Sequence, residues 1–298
     1  TPAWRTGGPT GAALAWSRQL LGTSRAPLHT WFAATAPSAA LDLIADAKAD
    51  HVRQRLASTA LSDLPVIGSA APFRSGGRGG ADNYTDIPQG SVRLRNISDL
   101  YSFPNTLVAL ALSGTDVSDW LEQSAAVFHQ IAPGAEDAPL HDVTVPTFSF
   151  DVLPDLSYAI DLSQPARFDA RGRLVNPDAR RIVGLSFCGQ PLDPALRLVL
   201  ATNNHRANIA QSGQPDRPPT VVLAEGARMQ DILADHVRKL QQVGAAPRRA
   251  WHFLPMPGTT VTIRSGAGSE AHLADLAGYR PETIRIDSDG FRHYRLHL

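Results

Sequence analysis

Leu107-Val-Ala-Leu-Ala-Leu112 is a near-continuous apolar run, entered through the aromatic turn Leu100-Tyr-Ser-Phe-Pro-Asn-Thr106 and closed by Ser113-Gly114. An apolar run this short, bounded by turn residues, is the pattern of a buried strand. Upstream, Leu64-Pro-Val-Ile-Gly68 predicts a second short strand that leads into the glycine-rich segment Ala71-Pro-Phe-Arg-Ser-Gly-Gly-Arg-Gly-Gly80, and Val92 to Leu94 predicts a third. Downstream, Thr115 or Asp116 is placed to cap a helix through Trp120, Leu121, Ala125 and Phe128, which Pro133-Gly134 stops.

Working outward, Ser38 is an N-cap candidate for a helix to about Ala57, with Leu41, Ile44, Val52 and Leu56 on one face. Residues 12–21 read as a short helix and 134–146 as a loop. Strands are expected over Thr147–Val152, Tyr158–Leu162, Ile182–Phe187 and Leu196–Thr202, with a tight hairpin at Cys188–Pro194. Residues 203–220, rich in Asn, Gln, Gly and Pro, read as a long loop. A helix follows from about Gly226 to Val243. The last part alternates strands (Thr260–Ile263, Thr283–Ile286, His293–Leu296) with a helix around Glu270–Ala277. This interleaving predicts an α+β fold: a mixed α/β single domain with helices packed on a mixed sheet.

The 298 residues are 43% hydrophobic, enough for a sizeable core. Lys+Arg and Asp+Glu each total 28. A protein that tracks a nucleic-acid polymer needs a basic surplus, so a small anionic ligand fits better. The single cysteine, Cys188, is expected to be a buried thiol, and no Cys/His cluster has zinc-ligand spacing. No apolar run is long enough to span a membrane. The start, Thr1-Pro-Ala-Trp-Arg5, carries neither an initiator Met nor a signal-peptide pattern, so the chain reads as a piece of something longer.

Arg74 and Arg78 flank Ser75-Gly76-Gly77. Glycines let a backbone approach a ligand, and guanidinium groups match phosphate oxygens two donors at a time. Taken alone the segment also reads as solvated surface, because it has no Walker or G-x-G-x-x-G pattern. Phe103, before Pro104-Asn105-Thr106, could stack on a base, although on spacing alone Tyr101 and Phe103 read first as core residues at strand spacing. In Asn203-Asn204-His205-Arg206, His205 could stack, donate or act as a base, or could simply cap a strand end. D-x-H, G-N-H, H-x-H and G-x-S-x-G segments are missing, so nothing forms a self-sufficient catalytic centre and no metal ligands are assigned.

Several ordered stretches together carry a resemblance: Ala70–Gly80, Asn96-Ile-Ser-Asp-Leu-Tyr-Ser-Phe-Pro-Asn-Thr-Leu107, Gly114-Thr-Asp-Val-Ser-Asp-Trp-Leu121, Tyr158–Asp169, Asn176–Ile182 and Ala201-Thr-Asn-Asn-His-Arg-Ala207. From about Leu21 onward the chain resembles the C-terminal domain of bacterial 2',3'-cyclic-nucleotide 2'-phosphodiesterase/3'-nucleotidases, within the wider 5'-nucleotidase family. Residues 1–20 would then be linker and helix remnant, and 21–298 the substrate-binding domain.

The resemblance implies a nucleoside or nucleotide ligand, a periplasmic setting, and catalysis by an N-terminal metallophosphoesterase domain with two divalent metal ions. It implies no membrane and no nucleic-acid polymer as partner. By position, Phe103 matches one aromatic of a base-stacking pair and His205 the place of the other, usually Tyr or Phe. Arg78 matches a substrate-binding arginine, Arg74 stands where Lys or Arg is common, and Asn204 matches a pocket-lining position. Ile209, Ala210 and Gln211 depart from the family's usual continuation after this point, which includes an Asp in the 5'-nucleotidase branch. A 5'-nucleotidase or nucleotide-sugar hydrolase domain and a non-catalytic nucleoside-binding module remain the alternatives. Asp-x-His and Gly-Asn-His-Glu segments upstream would mark the enzyme.

Overall fold

The computed structural model describes residues 11–213 and 218–298. At its centre is a four-stranded sheet. Leu107–Ser113 and Arg197–Asn203 pair antiparallel along their whole length, from Leu107 opposite Asn203 to Ser113 opposite Arg197. Val66–Gly68 adds in parallel beside Arg197–Asn203, and Thr220–Leu223 antiparallel beside Leu107–Ser113. Leu198 to Ala201, Ala109 and Leu110 are wholly buried, as a strand covered on both faces requires.

The helix Ala39–Leu56 packs on Val66–Gly68. The approach is close: a Cβ added at Gly68 would stand 2.1 Å from the Ala45 carbonyl oxygen. Only glycine permits that contact. Ser38 precedes this helix in extended conformation, but its hydroxyl donates to the His29 carbonyl and not to the helix. The helix after the central strand, Gly114–Ser124, is capped by Ser113 and not by Thr115 or Asp116. Asp116 instead returns a carboxylate to the Ser113 N–H, completing a reciprocal capping box.

Two further four-stranded sheets flank this centre. One joins Gln190–Pro191, Ile182–Phe187, Leu156–Ile160 and Trp251–Phe253. The other joins Glu282–Ile286, Arg292–His297, Thr260–Ser265 and the short Ala138–Pro139, which lies in the segment expected to be loop. Leu20–Ser24, Gly90–Arg93 and Gln242–Val243 make a smaller sheet, so Leu20 and Leu21 leave the helix pattern, which ends at Ser17. The architecture is the expected mixture of helices on mixed sheets.

Three further expectations are corrected. Thr147–Val152 is not a strand: Thr147–Ser149 form a 3-10 turn after Pro146, and only Val152 bridges, to Ala70. The segment expected to be a long loop begins as the helix Asn204–Gly213, because the Asn203 side chain accepts the Arg206 N–H and starts it. Cys188 is exposed and not buried. It sits with Gly189 at the tip of the hairpin 187–190, both with positive φ (50° and 77°), as a two-residue turn matched to strand twist demands.

Candidate nucleotide-binding site

The directions of three neighbouring strands gather the three motifs. Val66–Gly68 and Arg197–Asn203 run parallel, so the glycine-rich segment and His205 both emerge at the same end of the sheet. Leu107–Ser113 runs the other way, so the turn bearing Phe103 enters at that end as well. Segments more than 100 residues apart in sequence therefore meet at one edge.

A ladder of rings follows. Tyr101 packs edge-on against Phe73 at 4.7 Å, Phe73 against Phe103 at 5.2 Å, Phe103 against Phe148 at 6.2 Å and Phe148 against His205 at 6.3 Å. These are ordinary edge-to-face separations. Tyr101 is wholly buried. Its hydroxyl accepts from the Asn105 and Asn203 amides, and burial pushes its pKa up to about 12. Phe103 is 41% exposed and His205 is exposed, so the outer end of the ladder presents ring surface to solvent. Phe148, which the sequence placed in a strand, stands between the two rings matched to base stacking.

Below the rings lies a buried polar clamp. The Arg206 Nε donates to Asp151 Oδ2 at 2.6 Å, and Trp120 Nε1 donates to the same oxygen at 3.0 Å. Arg206 follows His205 and Asp151 lies three residues beyond Phe148, so this pair fixes the two rings relative to one another. Lys48, also buried, donates to the Ser69 carbonyl at 2.6 Å, just ahead of the glycine-rich segment. Burial holds its pKa down at about 8.

The glycine-rich segment wraps one side of a cavity of about 450 Å³, bounded elsewhere by Phe103, Phe148, Trp31, Tyr84, Arg264 and His293. Gly76, with φ of 76°, lets the segment lie on Tyr84; a Cβ there would be 2.3 Å from the Tyr84 hydroxyl. The Ser75 and Thr147 hydroxyls, 2.6 Å apart, tie the segment to the turn that carries Phe148.

The five residues singled out in the sequence take different places. Arg78 and Phe103 line the cavity. Arg74 forms an ion pair with Asp99 at 3.0 Å and does not line it. Asn204 accepts the Thr106 N–H on its side-chain oxygen, while its own N–H donates to the Thr106 carbonyl, so it braces the turn after Phe103. His205 stands outside the cavity lining, across Phe148. Trp31, Tyr84, Phe148 and Arg264 gave no local sequence signal. Trp31 and Tyr84 stack at 4.4 Å from distant segments, a pairing no spacing rule contains.

Three other titratable side chains of the lining are committed to protein partners. His141 Nε2 donates to the Ala34 carbonyl, and burial lowers its pKa, so it is a neutral imidazole. Asp142 accepts the N–H and hydroxyl of Thr144, which holds its carboxyl below the usual range. His293 is bonded to Asp287. Among the described residues no group of three or more His, Cys, Asp or Glu could hold a metal ion. The donor set fits neutral and anionic organic groups and does not fit a metal pair.

Comparison with known proteins identifies the family to which this mixed-sheet domain belongs. Residues 21–212 match the family model "5'-nucleotidase, C-terminal domain", and the chain belongs to that family. It is 30% identical over 287 residues to the trifunctional nucleotide phosphoesterase protein of Bacillus subtilis, covering 95% of this chain and 19% of that protein. It is likewise 30% identical to the 2',3'-cyclic-nucleotide 2'-phosphodiesterase/3'-nucleotidase of Haemophilus influenzae, over 94% of this chain and 44% of the relative. The chain thus spans less than half the length of these relatives. The crystal structure of a 5'-nucleotidase precursor from Thermus thermophilus superposes with a TM-score of 0.60 at 18% identity, over 83% of this chain and 41% of that one, and shares the fold.

Proposed function

We propose that this chain is the substrate-binding part of a 2',3'-cyclic-nucleotide 2'-phosphodiesterase/3'-nucleotidase. Phe103 and His205 would hold the base while Arg78 draws the phosphate. The observation that carries this reading is the convergence of Phe103, Phe148 and Arg78 on one cavity, at the sheet edge where His205 also emerges. Relatives named 2',3'-cyclic-nucleotide 2'-phosphodiesterase/3'-nucleotidase support the substrate class. Arg74, neutralised by its ion pair with Asp99, would act by anchoring the glycine-rich segment. Asn204 would act by holding the turn of Phe103.

The hydrolytic step belongs, in this proposal, to a metallophosphoesterase domain outside these residues. The two divalent ions would be bound there, and the periplasmic setting rests on family resemblance alone. The chain itself supplies binding and orientation: an aromatic platform, a guanidinium group and a lining whose histidines are already engaged.

Titration calorimetry of this chain with adenosine and 3'-AMP tests the reading. Loss of a stacking ring costs about 1–3 kcal/mol per base, so Phe103→Ala and His205→Ala should each weaken adenosine binding by roughly fivefold or more. No turnover of 3'-AMP is expected with added Mn²⁺. Unchanged affinity in both variants would defeat the stacking assignment. Metal-dependent turnover by pure protein, insensitive to Phe103→Ala, would defeat the division of labour.

A further inference from the structure

We propose that Arg264 is a second anion-binding arginine, which with Arg78 brackets the cavity and takes the phosphate group of the ligand. The inference deepens the nucleotide-binding reading and rests on it for the ligand's class.

Arg264 lies on the strand Thr260–Ser265, about 190 residues beyond the glycine-rich segment, and nothing in its local sequence marks it. The fold nevertheless seats it beside that segment. Its guanidinium carbon lies 4.5 Å from the centroid of Phe291. The same Phe291 ring abuts Gly76: a Cβ built there would be 3.0 Å from Phe291 Cε1. One ring therefore supports Arg264 and touches the loop two residues before Arg78, and both arginines line the same cavity.

Their charge is uncommitted. Other arginines close to this region are neutralised: Arg74 by Asp99, Arg206 by Asp151 and Arg292 by Glu270. Among the described residues no carboxylate pairs with Arg78 or Arg264. The one carboxylate of the lining, Asp142, is engaged by Thr144. The cavity thus carries two guanidinium groups against a single occupied carboxylate, with His141 held neutral. The Phe291 ring covers one side of the Arg264 guanidinium without neutralising its charge. Two planar donor forks from different elements suit a tetrahedral oxyanion, because each can give two hydrogen bonds. A nucleoside alone offers them nothing, so Arg264 should separate phosphorylated from unphosphorylated ligands.

The test is calorimetry on this chain with 3'-AMP, adenosine and inorganic pyrophosphate, for wild type, Arg264→Gln, Arg264→Lys and Arg78→Gln. Loss of one charge-assisted contact predicts 3'-AMP and pyrophosphate binding weaker by about tenfold in Arg264→Gln, and adenosine within about twofold of wild type. Arg264→Lys, which keeps charge but not the fork, should recover part of the loss. Pyrophosphate binding that depends on Arg264 in a protein that ignores adenosine would uphold the arginine and defeat the nucleoside reading. Equal loss for adenosine and 3'-AMP, or no loss for either anion, overturns the proposal.

Discussion

Lys48 gives the sharpest quantitative test of the packing beneath the site. Its ammonium group is buried under the central sheet, bonded to the Ser69 carbonyl and 5.9 Å from the centre of the Tyr101 ring. Desolvation lowers its pKa from 10.5 to about 8, with the Asp151 carboxylate opposing and Arg206 adding to the shift. Below pH 8 the side chain is charged in both folded and unfolded chains, and the cost of burying the charge is fully present. Between pH 8 and 10.5 the native state has released the proton while the unfolded chain still holds it. Stability must therefore rise with pH across that window. At 1.36 kcal/mol per unit the full span is roughly 3 kcal/mol, of which about 2 kcal/mol should appear between pH 7 and 9.5.

The five tyrosines all have raised pKa values and act in the opposite sense, each by at most about 0.2 kcal/mol at pH 9.5, because little of an unfolded phenol is ionised there. Lys48→Met removes the lysine contribution and keeps theirs. Urea denaturation at pH 7 and 9.5 should show wild type gaining stability and the variant losing slightly. A variant that gains as much as wild type, or a wild type without the gain, would refute the buried-charge account.

Other consequences follow from single contacts. Arg248 serves Asp42, Asp46 and Asp155, and burial pushes Asp42 up to about 6 despite it. Arg248→Met should cost roughly 2 kcal/mol at pH 7.5, since the arginine is partly exposed, and less at pH 5 as Asp42 takes a proton; urea midpoints at the two values would check it. A Cβ at Gly266 would lie 2.0 Å from the Ala81 carbonyl oxygen and 2.8 Å from the Trp31 ring. Gly266→Ala should therefore lower Tm by about 5 °C or more and weaken ligand binding, because it displaces a cavity wall. His205→Tyr offers a larger stacking face and should tighten adenosine binding by a few fold in calorimetry; no change would place His205 outside the base contact.

Much of this molecule was legible locally. The apolar run 107–112 is the central strand, Leu41, Ile44, Val52 and Leu56 are the buried face of a helix, and Cys188-Gly189 is a hairpin turn. Failures came where a side chain decided the backbone's course. Asn203 starts a helix in a segment whose composition read as loop, because one amide oxygen caps it. Phe148 and Phe150 alternate as a strand would, yet Thr147–Ser149 turn after Pro146 and put Phe148 among the site's rings.

The sequence by itself determined the class of fold, the family, and the three motifs that bear Arg78, Phe103 and His205. Those depend on propensities, apolar periodicity and ordered strings of residues, all of which act within a few positions along the chain. Only the tertiary structure decided that these motifs meet, because strand direction and register are set by pairing between distant segments: Asn203 opposite Leu107, Ala201 beside Gly68. It also decided what stands among them. Trp31, Tyr84, Phe148 and Arg264 reach the cavity through packing against side chains and loops far away in sequence, and such packing leaves no local trace.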